Sequence, residues 1–229
     1  MSQAIYVIGT GVGVGKTYVS ATLVKALQEE GYDTVYYKPV ETGSETIPDG
    51  DAGYVRTACD LDQEVLSMVS YLFHDPVAPH LAAARAQQGV DVELIKADFA
   101  SVSLLHEATV VEGCGGIICP LTLYADGRRV MQEDVIKGLA LPSVIVADAD
   151  LGTLNATLLT IDYMQSHQLP IVGIILNRYN EENVVHRDNL AMLEKLSGLD
   201  VVATVAEEGA LEQRKSFFLL EGDEPLEAL

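Results

Sequence analysis

Short apolar runs alternate along this chain with segments in which apolar residues recur every three or four positions. Six runs are predicted strands, at 4–10, 34–40, 108–113, 142–148, 171–177 and 201–206. Two sets of residues have the spacing of amphipathic helices: Val19, Leu23, Val24 and Leu27, and Leu158, Leu159, Ile161 and Met164. Strands that alternate with helices form βαβ units, and near-continuous apolar strands are typical of sheets covered on both faces. The pattern predicts an α/β fold with a mainly parallel, doubly wound sheet flanked by helices.

Breaks in the pattern bound these elements. Pro39 has no N–H group, so it is predicted to end the second strand and to leave Lys38 at the edge of the sheet. Residues 41–53 form the one long polar loop, and long loops in compact domains often carry function. The tail from Glu221 is acidic and is expected to be peripheral. Because 229 residues suit one α/β core and contain no repeat or linker, a single domain over 1–229 is expected.

The net charge of the chain argues against nucleic acid and anionic lipid as binding partners. With 14 Lys plus Arg against 34 Asp plus Glu, the net charge is −20, which repels nucleic acid and anionic lipid. No local basic patch offsets this repulsion, and no apolar run reaches the roughly 18 residues of a membrane span. The first residues, MSQAIYVIGT, also lack the charged start of a targeting segment. We expect a cytoplasmic protein that binds neither nucleic acid nor membrane.

The cysteines agree with a reducing compartment. Cys59, Cys114 and Cys119 form no CxxC pair, and their odd number argues against both a disulfide framework and a zinc knuckle.

Residues suited to chemistry gather where the predicted strands end. They lie in the segments 9–17, 38–43, 112–116 and 148–155 and at position 177. The carboxyl ends of parallel strands form the edge at which open α/β sheets bind ligands. Five segments therefore point to one crevice.

The segment GTGVGVGKT, 9–17, has the character of a phosphate-binding loop, because it joins a strand to a helix predicted to begin near Lys16. Lys16 can reach the β- and γ-phosphates, and the Thr17 hydroxyl can bind Mg²⁺. Five residues separate Gly9 from Gly15, whereas the usual spelling has four. A glycine-rich hairpin without a ligand is the alternative. The loop nevertheless predicts a P-loop nucleoside triphosphate hydrolase type of fold.

Lys38 opens the segment KPVETG, 38–43, beside this loop. Its ammonium is free to meet a phosphate, and Thr42 adds a hydroxyl where Gly43 lets the chain turn. Taken alone, Lys38 is better explained as a surface lysine before a turn. Its place next to the phosphate loop reverses that preference and favours the functional interpretation.

Candidate metal ligands come from three segments. Mg²⁺ bound to a triphosphate commonly takes one or two protein carboxylates and a hydroxyl, so Thr17, one aspartate of PDGDAG and Glu112 form a sensible set. Either Asp49 or Asp51 can supply the aspartate, although Asp49 also suits a turn. The glycines after Glu112 let backbone amides approach a phosphate.

Two further strand ends carry polar side chains. Asp148 and Asp150 form a second acidic end, which we rank below Glu112 as a metal site. Asn155 has the character of a helix cap. The Asn177 amide can donate and accept together, which matches a purine edge.

Six segments together resemble one family. GTGVGVGKT, KPVETG, DPVAPH, VEGCGG, DLGTLN and ILNR occur in this order over nearly the whole chain and resemble dethiobiotin synthetase. The phosphate loop of that family also has five residues between its outer glycines, which accounts for the unusual spacing. The combination is far more specific than any single motif.

The resemblance implies an ATP- and Mg²⁺-dependent enzyme of biotin synthesis that closes the ureido ring of dethiobiotin from 7,8-diaminononanoate and CO₂. It implies a homodimer with its sites at the subunit interface. One substrate amine would capture CO₂ as a carbamate, the carbamate would take the γ-phosphoryl group of ATP, and the second amine would close the ring and expel phosphate.

The resemblance also assigns roles residue by residue. Lys38 and Lys16 would be catalytic, with Lys16 on the phosphates, and Thr17, Asp51 and Glu112 would hold Mg²⁺. The implied nucleotide contacts are Gly13, Val14, Gly15, Lys16, Thr17, Tyr18, Asp51, Glu112, Gly113, Cys114, Gly115, Asn177, Arg178 and Ala206. Asn177 would read adenine. Thr42 and Asn155 would contact the substrate, Asn155 from the dimer partner.

Two segments depart from the family pattern. Gly11, Val12 and Gly13 replace polar loop residues, and 203–206 reads ATVA where the family has G-x-I-P. We therefore expect weaker discrimination between nucleotides.

Other interpretations stay open. A partitioning or switch ATPase would use the same loop, but such proteins commonly carry an extra lysine where Thr10 and Gly11 stand. A related amide-forming P-loop synthetase would need a further domain. A paralogue that binds nucleotide without turnover would have little use for an intact set of lysines and carboxylates.

Overall fold

A central sheet of eight strands organises the protein, whose computed structural model describes residues 3–215. The strands of the described chain are β1 (Gln3–Gly9), β2 (Thr34–Thr42), β3 (Val69–Phe73), β4 (Ala108–Gly116), β5 (Pro120–Leu123), β6 (Arg129–Met131), β7 (Ser143–Asp148), β8 (Ile171–Asn177), β9 (Val201–Val205) and β10 (Leu211–Gln213). The order in the central sheet is β10-β9-β8-β7-β1-β4-β2-β3, and β5 and β6 form a separate hairpin. Only the β10–β9 pair of the central sheet is antiparallel within the described residues. The predicted mainly parallel sheet is confirmed.

Helices cover both faces of this sheet. They are α1 (Lys16–Glu29), α2 (Asp51–Ala58), α3 (Pro79–Arg85), α4 (Val92–Ser103), α5 (Gln132–Leu139), α6 (Thr153–Ser166) and α7 (Val184–Ser197), with 3₁₀ turns at Ile47–Asp49 and Val65–Ser67. Alternate residues of β1 enter two separate cores: Tyr6 and Ile8 pack into one, and Ile5 and Val7 into the other. Side chains alternate between the faces of a strand, so two cores on one strand require a covered sheet on both sides. The doubly wound arrangement is thus confirmed, while one domain over 1–229 stays a prediction.

All six predicted strands are present, but the hydrophobic pattern missed four others. β3 lies at one edge of the sheet and is short, and β5, β6 and β10 have three or four residues with exposed positions. Runs this short have no period of their own, so pairing with neighbours that are distant in sequence determines them.

Pro39 does not end β2, contrary to the prediction, because the strand continues to Thr42. The Lys38 N–H group donates to Met68 O on the β3 side, so the nitrogen of Pro39 faces β4. The pairing of β2 with β4 stops at Tyr37. Pro39 lies beyond that point, so its missing N–H group costs the sheet no hydrogen bond to β4.

The predicted polar loop at 41–53 is also only partly a loop. A 3₁₀ turn occupies Ile47–Asp49, and α2 begins at Asp51. The buried Glu41 carboxylate accepts hydrogen bonds from the N–H groups of Asp51 (2.7 Å) and Ala52 (3.4 Å) and so caps the helix from ten residues upstream. A cap that far away leaves no local signal in the sequence.

The helical prediction near Leu159 was right about the element and partly wrong about its buried face. Ile161 and Met164 of α6 are buried, whereas the Leu159 residue is 62% exposed. The acidic tail from Glu221 lies outside the described residues. Within residues 3–215, no helix combines the length and apolar character needed to cross a bilayer.

Candidate nucleotide-binding site

The phosphate loop, residues 9–17, joins β1 to α1 as the sequence predicts. Gly13 and Gly15 have φ angles of 77° and 87°, in the left-handed region that glycine adopts most easily. Gly15 is the N-cap of α1 and has no side chain to occupy the first N–H groups of the helix. The Lys16 ammonium folds back over the loop and donates to Gly11 O at 3.1 Å. Uncapped amides and an ammonium at a helix N-terminus form a natural anion site.

Asn177, at the end of β8, packs under this loop. Its Nδ2 atom donates to Val14 O at 2.9 Å, and the residue is almost completely buried. A Cβ atom added to Gly15 would lie 2.0 Å from the same Nδ2, so Gly15 is required by close approach as well as by its φ angle. One N–H of the amide nitrogen expected to help read a purine is therefore engaged by the loop, and Oδ1 and the second N–H are left for a base.

Arg178 ties the same strand end to the loop. Its guanidinium donates to Gly13 O at 2.8 Å and forms an ion pair with Asp148. Asp150 Oδ1 accepts from His186 Nε2 at 3.1 Å, because the other ring nitrogen of His186, Nδ1, accepts from Asn180 N at 3.0 Å. The second acidic strand end is thus occupied by contacts that hold β7, β8 and the loop together, in line with its lower rank as a metal site.

Lys38 lies at the centre of a lysine–carboxylate cluster formed with Thr17, Asp51 and Glu112. Its Nζ atom is 2.6 Å from Asp51 Oδ2 and 2.7 Å from Glu112 Oε1. Thr17 Oγ1 donates to the same Glu112 oxygen at 2.9 Å. One member of the cluster comes from each of four elements: α1, which follows the phosphate loop, β2, α2 and β4. Four segments far apart in sequence therefore converge on one point.

The charges of this cluster depend on one another. Burial opposes the charge of Lys38, but the adjacent Glu112 and Asp51 carboxylates outweigh it and raise the pKa of Lys38 above its usual value. Burial also raises the pKa of Asp51, and the Lys38 ammonium more than reverses this, so that the pKa of Asp51 is lowered. Lys16 differs: burial dominates and lowers its pKa, only partly offset by Glu112. Lys38 is thus firmly cationic, whereas Lys16 forms no ion pair with a carboxylate among residues 3–215 that would compete with a phosphate.

Two residues that the sequence did not single out support the cluster. Tyr36, buried in β2, donates from its hydroxyl to Glu112 Oε2 at 2.9 Å. Burial raises the pKa of Tyr36 well above its ordinary value, with the Glu112 carboxylate adding to the effect, so the hydroxyl stays a donor. Glu41 orients Asp51 through the start of α2. Both are ordinary residues of a strand in the sequence, and only the fold brings them to the site.

The two candidate aspartates separate clearly. The Asp49 carboxylate accepts from Thr46 Oγ1 at 2.6 Å on the protein surface, as a turn residue does. Asp51 is the one that joins the lysine–carboxylate cluster.

The donor set of the cluster fits Mg²⁺. Thr17, Asp51 and Glu112 offer hard oxygen atoms, the ligand type that Mg²⁺ prefers, and two carboxylates with a hydroxyl leave positions for water and phosphate oxygens. The point between the carboxylates already accommodates a cation, the Lys38 ammonium, at 2.6 and 2.7 Å.

The remaining candidate residues border the same edge. The Tyr18 hydroxyl donates to Gly209 O at 2.9 Å and thereby ties α1 to the turn that Ala206 opens after β9. Thr42 is the last residue of β2. Beyond Glu112, β4 carries Gly113, Cys114 and Gly115 toward the phosphate loop. The Sγ atoms of Cys114 and Cys119 lie 3.9 Å apart as free thiols, and Cys59 is also free.

Asn155 stands apart from this group. Gly152 is the N-cap of α6 and Asn155 is the third residue of that helix, so the capping role expected from the sequence is wrong. Its side chain is exposed, and among residues 3–215 no hydrogen bond joins it to the cluster.

Solved structures share the fold of this chain. A cell division protein MinD from Pyrococcus horikoshii in complex with Mg-ADP superposes with a TM-score of 0.53 at 17% identity, covering 91% of this chain and 82% of that one. A ParA family ATPase from Chlorobium tepidum gives a TM-score of 0.54 at 16% identity, covering 91% and 86%. At these identities the likeness concerns the fold.

Sequence relatives give the family. The AAA domain family matches residues 3–215. An ATP-dependent dethiobiotin synthetase from Brachyspira hyodysenteriae is 41% identical over 205 residues, which cover 90% of this chain and 92% of the relative. The Clostridium botulinum (strain Loch Maree) synthetase of the same name is 37% identical over 216 residues, covering 93% and 94%. This chain belongs to the family of ATP-dependent dethiobiotin synthetases.

Proposed function

We propose that this enzyme closes the ureido ring of dethiobiotin from 7,8-diaminononanoate and CO₂, consuming ATP with Mg²⁺ and releasing ADP and phosphate. Its family gives ATP-dependent dethiobiotin synthesis as the general activity, and the substrates, the metal and the roles of the residues are the proposal. The observation that carries it is Lys38, held at 2.6 and 2.7 Å between two carboxylates at the mouth of a phosphate loop.

Each part of the site has a place in phosphoryl transfer. The amides of the phosphate loop and the Lys16 ammonium bind the β- and γ-phosphates. Thr17, Asp51 and Glu112 hold Mg²⁺, which when bound neutralises phosphate charge. Lys38 contributes a second fixed cation where negative charge develops on the transferred group. Glu112 and Asp51 orient its ammonium, so little reorganisation is needed during the reaction.

The reaction requires no protein nucleophile. A neutral substrate amine adds to CO₂ to form a carbamate and releases a proton. The carbamate oxygen attacks the γ-phosphorus, the bond to ADP breaks, and a carbamic-phosphoric anhydride results. The second amine attacks the anhydride carbon, expels phosphate and loses a proton. Positioning and charge neutralisation by Lys16 and Lys38 are therefore the main tasks of the protein.

The nucleotide base would lie between two strand ends. We assign its recognition to Oδ1 of Asn177, to Arg178 and to the backbone of the turn at Ala206, which Tyr18 holds through Gly209 O. These contacts are few, which supports weak discrimination between nucleotides. Comparable turnover with ATP, GTP and CTP is the expected result, and turnover with ATP alone would contradict it.

A homodimer is part of the proposal. Leu151, just before α6, is 85% exposed, and Leu159, on α6, is 62% exposed, and the two lie on either side of Asn155 in sequence. Asn155 and Leu159 also line a surface groove of about 420 Å³ together with Leu196 of α7. An exposed polar amide between exposed leucines suits a residue that reaches a partner's substrate.

The decisive experiment is phosphate release from Mg²⁺-ATP and bicarbonate, with and without the diamine, with the product identified by mass. Release that requires the diamine and equals the dethiobiotin formed is the expected result. Phosphate release that is independent of the diamine would instead favour a switch ATPase. Lys38→Met is expected to lower turnover far more than ATP affinity, whereas Lys25→Met, an exposed lysine of α1, serves as the matched control.

A further inference from the structure

The strand that carries Glu112 leaves the sheet in an unusual way. β4 pairs with β1 in regular parallel register up to Val7↔Glu112, and the next pair is Gly9↔Gly116. Between these two pairs, Ile8 of β1 alone lies opposite residues 113–115 of β4, which form a bulge, here called the glycine bulge. Bulges free backbone groups from the ladder and are frequent beside active sites. The N–H and C=O groups of this one need other partners.

The side chain of Gln132 supplies those partners. Its Oε1 atom accepts from the Cys114 N–H group at 2.6 Å, and its Nε2 atom donates to Gly116 O at 2.9 Å. The Gln132 backbone N–H group adds a third bond to Cys119 O at 2.9 Å. Gln132 is only 1% exposed, so water does not replace these bonds. One amide thus takes the place of a neighbouring strand along both ends of the bulge.

The sequence around the bulge is adapted to this contact. A Cβ atom on Gly113 would lie 2.7 Å from Gln132 Oε1 and 2.8 Å from the Tyr6 ring, so glycine is needed for the amide to come close. Gln132 is the first residue of α5, whose start is fixed by the Asp134 carboxylate accepting from Met131 N at 2.8 Å. The amide is therefore anchored at a rigid point, outside the motifs that carry the family likeness.

The position of the bulge matters because it lies between the two halves of the site. It follows Glu112 directly in sequence. At its other end, a Cβ atom on Gly116 would lie 3.6 Å from Gly11 Cα and from Gly9 O of the phosphate loop. Any movement of the bulge changes how Glu112 and the phosphate loop face each other.

We propose that Gln132 is a positioning residue for the reaction: its side-chain amide holds the glycine bulge so that Glu112 and the phosphate loop keep the spacing that phosphoryl transfer requires. This inference rests on the proposed function. A displacement near 1 Å at reacting groups can cost about 100-fold in rate, so loss of the amide should lower turnover more than affinity for nucleotide.

The simpler alternative is that Gln132 only stabilises the fold, and the chain contains a close match for testing it. Gln28 lies in the last turn of α1, and its Nε2 atom donates to Cys59 O, just after the end of α2, at 3.2 Å. This bond between an amide side chain and the backbone lies away from both the glycine bulge and the lysine–carboxylate cluster.

The test compares Gln132→Met and Gln132→Asn with Gln28→Met in the full-length enzyme. Methionine keeps the length of the side chain without the amide, and asparagine keeps the amide but is one methylene too short to bridge both groups. Urea unfolding gives the stability of each variant, steady-state assays give kcat and the KM for ATP, and hydrogen–deuterium exchange reports on residues 113–119 of the free enzyme.

We expect both Gln132 variants to exchange faster at 113–119 and to lose about 10- to 100-fold in kcat with less than about threefold change in KM for ATP. Gln28→Met should lose stability without this loss of kcat. Unchanged exchange at 113–119, or an equal loss of kcat in Gln28→Met, would overturn the inference. A wild-type enzyme without diamine-dependent ADP formation would instead refute the proposed function, so the two failures are distinct.

Discussion

The ion pair of Lys38 and Glu112 makes a sharp prediction about stability. The Lys38 side chain is 4% exposed and that of Glu112 is 0% exposed, at an Nζ–Oε1 distance of 2.7 Å. Lys38→Met keeps the length of the side chain and removes its charge. Removing one partner of a buried pair leaves an uncompensated charge and typically costs about 3–5 kcal/mol. The variant should lose stability of that order at neutral pH.

Including Glu112→Gln and the double variant distinguishes the electrostatic contribution of the ion pair from a simple loss of packing. Glutamine has one acceptor oxygen, so it can accept from only one of the Thr17 and Tyr36 hydroxyls, and the other hydroxyl can turn to accept from its NH2 group. With both charges removed, no buried charge of the pair remains. The double variant should therefore be less destabilised than the sum of the two single changes, with a coupling free energy on the order of 2–3 kcal/mol.

Urea unfolding of the four proteins at constant pH, fitted with a shared m-value, measures this coupling. Asp51 keeps part of its attraction to Lys38 in Glu112→Gln, but its side chain is 48% exposed, so solvent screens that contribution. Additive effects of the two changes would mean that the pair does not act as one electrostatic unit, and the reasoning about the cluster would fail.

Three further predictions use other parts of the site. Gly15→Ala should weaken ADP binding, measured by calorimetry, at least about tenfold more than Gly13→Ala. Both glycines have positive φ, but only a Cβ atom at position 15 would lie 2.0 Å from a side-chain atom, Asn177 Nδ2. Equal effects of the two substitutions would contradict this prediction. The pKa of Asp51 is lowered in the folded protein, so its charge stabilises the fold at pH values above 3.8, the ordinary pKa of the group, and this gain is lost as pH falls through the folded pKa. The stability difference between the wild type and Asp51→Asn, under about 1 kcal/mol, should therefore shrink below pH 4 in urea titrations. A difference that stays constant down to pH 2 would refute this prediction. Leu159→Asp should convert the proposed homodimer to a monomer in sedimentation experiments. Leu104→Asp, at a leucine that is 79% exposed, should not. A dimer that survives Leu159→Asp would place the interface elsewhere.

Local pattern gave the correct general architecture. Buried parallel strands have long apolar runs, and the phosphate loop depends on glycines at fixed spacing, so both can be recognised within a few residues of sequence. The position of Lys16 at the start of α1 and the strand ends that carry Glu112 and Asn177 follow from the same signals. The carboxyl edge of a parallel sheet then brings these residues together by topology.

Tertiary structure decided the rest. β2 passes through Pro39 because its pairing with β4 has already ended, and α2 begins at Asp51 because Glu41 caps it from ten residues upstream. Gly152 and not Asn155 is the N-cap of α6, and Asn155 is an exposed residue of the first turn. The Gln132 amide, at the start of α5, meets the glycine bulge across 16 to 18 residues of sequence, a contact that no local pattern predicts. Hydrophobic periodicity is a property of neighbouring residues, whereas the choice of hydrogen-bond partners and ion pairs depends on which distant segments the fold brings within 3 Å.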